Sequence, residues 1–268
     1  MALCAELKKL DMFIEEAELA AAVYKPYGQR NVPGYTEVTD PEELAKLDLI
    51  PEDLNPSDSK FRAGVFKKNG TNDYTVAFKG TSEGVDWFHN AAQATTSRSD
   101  YYTRAKEIGR DVASNAGRGS VGKVKMVGHS LGGGLASAAA HASRTPATTF
   151  NSAGLHGMNR SWFNAPPIDA VRVKGELLTA LQSAVPFLAP DAVGTPYKVN
   201  PPSNVASTAS RANLGWTDAL IPVKGAAKYT KAAAARATEL HGMKAVKDGL
   251  VQQKAAVKAK AAAQGCSC

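Results

Sequence analysis

The stretch Gly128-His129-Ser130-Leu131-Gly132 carries the clearest chemistry in the chain. A serine between two glycines at this spacing can act as a nucleophile toward acyl groups when a sharp turn lifts its hydroxyl clear of the backbone. The flanking residues provide that context: Val124 to Val127 are a short, mostly apolar run, and the small residues Leu135 to Ala142 follow. Strand, turn and helix are therefore expected in immediate succession. Gly128 and Gly132 are expected where the turn is strained and neighbouring backbone passes too close for a β-carbon. The first amides of the helix would face whatever Ser130 attacks, so an anionic intermediate would sit at a helix N-terminus. A Gly-rich strand-to-helix connection can instead bind a dinucleotide. This stretch has no Gly-x-Gly-x-x-Gly spacing, and no acidic residue closes a second strand about twenty residues on, which sets that reading aside.

A serine nucleophile requires a base to take its proton and an acid to orient that base. In α/β-hydrolases the three follow in the order serine, acid, histidine. Among the five histidines, His89 precedes the serine and His129 lies inside the turn with its side chain directed away. His141 falls on the next helix, and His156 comes before any suitable acid. His241 remains as the base. The acid should follow a strand after the turn. Glu176, just past the run Ile168 to Val173, fits that position better than Asp191, which lies farther along and stays as the alternative. One oxyanion donor is the amide after the nucleophile, that of Leu131. The second must come from another strand end, and Gly80-Thr81-Ser82 is the natural place, where Thr81 could offer both its N–H and its hydroxyl.

These residues need a scaffold, and the pattern supplies one. Leu3, Leu7, Leu10, Phe13 or Ile14, Ala17 and Ala20 recur at helical spacing, predicting an amphipathic helix over 3–23. A Pro- and Gly-bearing loop follows to Tyr35. Thr39-Asp40-Pro41-Glu42-Glu43 reads as the start of a short helix through Leu47, and 51–56 reads as a connection. Phe61 to Lys68 and Asp73 to Lys79 predict a hairpin joined through Asn69-Gly70, both tolerant of positive φ. Ser99 to Ala116 reads as a helix, and Ala147 to Asn151 and Ile168 to Val173 as strands. Residues 176–223 contain six prolines between 186 and 222 and are expected to be loops, a lid or pocket wall. A last helix is expected from His241 through Val251. Alternating strands and helices imply an α/β fold with a mixed sheet.

Composition adds bounds. Of 268 residues, 44% are hydrophobic and 21% charged, as in ordinary globular proteins. No apolar run approaches the roughly 18 residues a membrane span needs. Met1 to Tyr24 interleaves acids with apolar residues and does not read as a secretory signal, so export would use another route. Residues 224–268 hold nine Lys and Arg against Glu239 and Asp248, a balance equal to the formal net charge of +7 of the whole chain. The rest of the chain is therefore neutral. Such a tail is either a solvated Ala/Lys helix or an attraction to anionic lipid. With no aromatic residue after Tyr229, a base-stacking nucleic-acid surface is not expected. Three cysteines suggest no disulfide framework: Cys4 reads as a small buried residue or free thiol, and Cys266 and Cys268 as a reduced tail.

Three blocks together resemble the class 3 (fungal-type) lipases and their bacterial relatives. Phe78-Lys79-Gly80-Thr81-Ser82 with Asp86-Trp87 is similar to the family's oxyanion strand, Val127 to Gly133 to its nucleophile block, and Thr149 to Gly154 to its next strand. The resemblance implies an α/β-hydrolase-type, mostly parallel sheet flanked by helices. It implies a single domain over 1–251, with 176–223 as lid or pocket loops and 252–268 as a basic tail. Ser130 would be the nucleophile, Thr81 and Leu131 the oxyanion donors and His241 the base, with no metal or cofactor. The family's acid is an aspartate in an Asp-x-Val/Ile-Pro setting, which neither Glu176 nor Asp191 reproduces, so the acid stays open. The implied activity is hydrolysis of lipid esters, including triacylglycerols and the sn-1 ester of phospholipids, at a membrane surface. Some bacterial relatives lacking signal peptides look like effectors exported by dedicated machinery, with immunity or secretion proteins as partners. The competing expectations are a soluble small-ester carboxylesterase and an inactive membrane-binding module on the same scaffold.

Overall fold

Strands β1 (Tyr35–Glu37), β2 (Ala63–Lys68), β3 (Tyr74–Phe78), β4 (Val124–His129), β5 (Ala147–Phe150), β6 (Ile168–Val173) and β7 (Thr195–Val199) lie side by side in chain order. The first three pair antiparallel and the rest parallel. This is an α/β-hydrolase-type mixed sheet. The structure, a computed structural model, describes residues 2–80, 100–155, 165–176, 192–213 and 222–265, without the side chains of 222–225.

The alternation of side chains along the central strands decides which helix covers which face. Val76 and Phe78 of β3 and Val124 and Met126 of β4 point to one side. There they join Leu44 and Leu47 beside α2 (Pro41–Ala45), Tyr102 and Ile108 of α4 (Asp100–Asn115), and Leu135 of α5 (Leu131–Ser143) in one core. Ala77, Val127, Phe150 and Val171 point to the other side, against Leu10, Phe13 and Ala17 of α1 (Ala2–Ala22) and Val246 and Leu250 of α8 (Met243–Ala263). Burial on both faces is why β3 and β4 are near-continuous apolar runs. The exception follows the same alternation. Lys125 faces α1, where its ammonium pairs with the carboxylate of Glu16. Burial pushes the Glu16 pKa up, against the pull of Lys125.

Most predicted elements form where the pattern puts them: α1, the β2–β3 hairpin, α4, β4, α5, β5 and β6. Asp40 caps α2 by accepting from the Glu42 amide. Four differences have physical reasons. The stretch expected to be a connection contains α3 (Pro51–Leu54), a single turn too short to show periodicity. Strand β1 is three residues long and forms only because β2 is there to pair with it. In the segment expected to be loops, Thr195–Val199 is the edge strand β7 and Thr208–Ala212 is α6, capped by the Ser207 hydroxyl. Pro196 hides β7 from a propensity reading, but an edge strand tolerates a residue that cannot donate to the ladder. The last helix is two helices: α7 (Pro222–His241) ends at His241, and α8 runs on to Ala263.

Cys4 also differs from expectation: it is disulfide-bonded. Helix α8 lies antiparallel to α1, since Lys247 pairs with Glu18 and Lys254 with Asp11, seven residues on in one helix and seven back in the other. Another two turns along that register bring residue 261 beside Cys4. Cys266 and Cys268 lie outside the described residues.

Candidate active site

Strand β4 ends at His129 and α5 begins at Leu131, so Ser130 alone makes the turn. Its φ of 58° and ψ of −126° are unfavourable for a residue with a side chain, costing on the order of 1–3 kcal/mol. The conformation is held from several sides. The Ser130 amide donates to the Phe150 carbonyl, and the Ser130 carbonyl accepts from the amides of Gly133 and Ala153. The expected role of the glycines is met in space: a β-carbon on Gly128 would lie 2.1 Å from the Gly132 carbonyl oxygen, and one on Gly132 would lie 2.1 Å from that of Phe78. Strand and helix can therefore cross at the turn only without side chains. Leu131 is the first residue of α5, so its N–H belongs to the helix's unpaired first turn.

The histidine side is assembled from distant segments. His241 Nδ1 donates to Glu176 Oε2 at 2.8 Å, with both side chains buried. Of the two acids left open by the sequence, Glu176 lies against His241, and Asp191 is outside the described residues. Glu176 stands three residues beyond β6, after the turn in which its amide donates to the Val173 carbonyl. With Nδ1 as the donor, Nε2 is the ring atom that can accept a proton.

The backbone of His241 is tied to the serine turn. Asn151, at the end of β5, donates through Nδ2 to the carbonyls of Leu240 and His241 at 3.0 and 2.9 Å. Its Oδ1 accepts from the Val173 amide at 2.9 Å. One side chain thus fixes both the end of α7 and the strand leading to Glu176. His129 Nε2 donates to the His241 carbonyl at 2.8 Å, and the two imidazoles lie 4.9 Å apart by centroid. Its direction follows from the alternation along β4, which turns His129 toward α1 and α8, away from the face of α5. Burial, with His241 nearby, pushes the His129 pKa down to about 3, so the ring stays neutral.

Thr81, the second proposed oxyanion donor, and Asp191, the alternative acid, lie outside the described residues, as do His89 and His156. His141 is buried within α5. Among the described residues, no group of three or more His, Cys, Asp or Glu is placed to hold a metal ion. No described helix is long and apolar enough to cross a membrane.

A buried histidine–carboxylate pair, its backbone tied to the residue before a strained serine at a strand-to-helix turn, is equipment suited to ester hydrolysis. Residues 15–245 match a phospholipase-like family, the Tle-like phospholipase domain. The chain belongs to this family. It is 32% identical over 189 residues to an extracellular phospholipase A1 of Serratia liquefaciens, an alignment covering 66% of this chain and 56% of that protein. The chain therefore spans little more than half the length of that relative. Among solved structures it is similar to a triacylglycerol lipase of Penicillium expansum (16% identity, 72% of this chain and 80% of that one, TM-score 0.44). Lipase II of Rhizopus niveus is similar too (14% identity, 72% and 80%, TM-score 0.43).

Sequence reading of this Tle-like phospholipase domain missed the residues that hold the histidine. Asn151 sits at a strand end with φ of 41°, a conformation asparagine tolerates better than most residues. That was the signal available. His129 was set aside for pointing away from the serine, and that direction is what lets it reach the His241 backbone.

Proposed function

We propose that the chain is a serine phospholipase of the A type. Ser130 attacks the acyl carbonyl and His241 Nε2 takes the hydroxyl proton. Glu176 holds the imidazole and offsets the charge it gains. The Leu131 amide, with Thr81, receives the oxyanion. His241 then returns the proton to the leaving lysophospholipid oxygen, and water, activated by the same base, releases the fatty acid. The observation that carries this reading is the buried 2.8 Å bond from His241 Nδ1 to Glu176, in a histidine whose backbone is tethered to the residue preceding Ser130.

The sn-1 ester is the proposed bond, on the strength of the phospholipase A1 relative. An anionic membrane is the proposed surface. Three lysines of α8 are engaged in ion pairs, Lys244 with Asp248, Lys247 with Glu18 and Lys254 with Asp11. The attraction is assigned to the exposed Lys231 of α7 and to the exposed Lys258 and Lys260 at the end of α8. Export as an effector, with immunity or secretion proteins as partners, belongs to the same proposal. A disulfide at Cys4 suits an oxidising destination.

The test is fatty-acid release from phosphatidylglycerol/phosphatidylethanolamine vesicles by the wild type and by Ser130→Ala, with positional analysis of the lysolipid. Release by the wild type alone, leaving a 2-acyl lysolipid, is expected. Cleavage of a short p-nitrophenyl ester without vesicle hydrolysis would replace this reading with a soluble esterase.

A further inference from the structure

Tyr24 follows α1 in the sequence and is far in the chain from every residue given a chemical role. Its side chain is nonetheless half-buried against the core on the α1 side of the sheet, and desolvation pushes its pKa upward. The hydroxyl lies 3.0 Å from His129 Nδ1, and the Gly80 amide donates to it at 3.1 Å. The polarity of the chain of bonds is fixed at both ends. The His241 carbonyl can only accept, so His129 Nε2 carries the proton and Nδ1 is an acceptor. The Gly80 amide can only donate, so the tyrosine oxygen accepts from it and the O–H is directed at Nδ1. The bonds therefore run from Gly80 N–H to the Tyr24 oxygen, from Tyr24 O–H to His129 Nδ1, and from His129 Nε2–H to the His241 carbonyl.

The two ends of this chain matter. Gly80 immediately precedes Thr81, and His241 is the base. Access to Gly80 depends on its having no side chain, since a β-carbon there would lie 2.6 Å from both the Tyr24 hydroxyl and the His129 carbonyl oxygen. The low pKa of His129 keeps the ring in the one tautomer the chain requires at any working pH.

We infer that Tyr24 and His129 are positioning residues that hold the oxyanion strand end and the base histidine in fixed relation, so that the oxyanion donor and the proton acceptor keep one geometry. The inference rests on the assignment of Ser130 and His241 above. Neither Tyr24 nor His129 transfers a proton to substrate. Their effect is on the precision of the site, where displacement of about an ångström costs on the order of 100-fold in rate.

The experiment compares wild type, Tyr24→Phe, His129→Phe and Tyr74→Phe on a short p-nitrophenyl ester. Active sites are counted by titration with an alkyl p-nitrophenyl phosphonate. Tyr74→Phe is the control, because it removes a tyrosine hydroxyl bonded to Glu43 on the opposite flank of the sheet. Tyr24→Phe is expected to lower kcat per titrated site about 10- to 100-fold, with KM within about twofold. The phosphonate should react more slowly by a similar factor, and the melting temperature should match that of Tyr74→Phe. His129→Phe, which loses both bonds, should lose at least as much. An unchanged kcat per site in Tyr24→Phe, or a fall only in the number of titratable sites, would overturn the positioning role. Failure of the phosphonate to label Ser130 in the wild type would instead overturn the assignment on which it rests.

Discussion

Around Ser130 the fixing contacts are backbone contacts: amide to carbonyl across β4, β5 and α5, and glycine against glycine where strand meets helix. Around His241 they come from side chains, with Glu176 on the imidazole and Asn151 and His129 on the carbonyl behind it. The serine's position is therefore set by the sheet, and it tolerates change wherever glycine is not required. The histidine's position depends on a few polar groups, each buried and each from a different segment. A buried polar contact of this kind costs more to half-remove than it contributes when intact.

The largest effect should come from the histidine side. Glu176→Gln is expected to lower kcat by about 10⁴, as when a triad acid loses its charge. Asp191→Asn should change it less than about twofold. Steady-state rates on a soluble ester check both, and equal losses would break the assignment of the acid. On the serine side, Gly132→Ala forces a β-carbon against the Phe78 carbonyl oxygen. It should destabilise the fold by about 3 kcal/mol or more, read by urea denaturation. A normal midpoint would mean that the turn is looser than the backbone contacts imply.

Between the two regions much of the difference lies in what a sequence can express. The serine turn was legible because short-range pattern encodes it: an apolar run, two glycines two residues either side of a serine, and a stretch of small residues. The same alternation that makes β4 a strand also turns His129 to the face opposite α5. His241 was reached by chain order, and Glu176 only as the better of two. What brings them together is the end of α7 meeting the ends of β5 and β6, more than sixty residues away in sequence from either Asn151 or Glu176. No local period records such a meeting. Strand β7 and the Cys4 disulfide were hidden for the same reason, since each depends on a partner made elsewhere in the chain.

Smaller effects sharpen the contrast. Reducing the disulfide, or Cys4→Ser, should lower unfolding free energy by about 2–4 kcal/mol by removing a covalent cross-link. The turnover of the folded enzyme at 25 °C should stay unchanged, because Cys4, near the start of α1, belongs to neither region. Denaturation with and without dithiothreitol, beside rates on the same samples, separates the two quantities. Asn151→Ala should cost about 1–3 kcal/mol in stability, because the Leu240 carbonyl loses the Asn151 donor and the Val173 amide its acceptor. Because it also loosens His241, kcat per active site should fall about tenfold. Loss of stability with full turnover would show that the histidine is held without Asn151.

The most direct test of the central claim is the rate and site of covalent labelling by a fluorophosphonate, located by peptide mapping in the wild type and in His241→Ala. A single adduct on Ser130 is predicted, formed at least about 10³-fold more slowly without His241. An adduct on another residue, or equal labelling rates in the two proteins, would contradict the account.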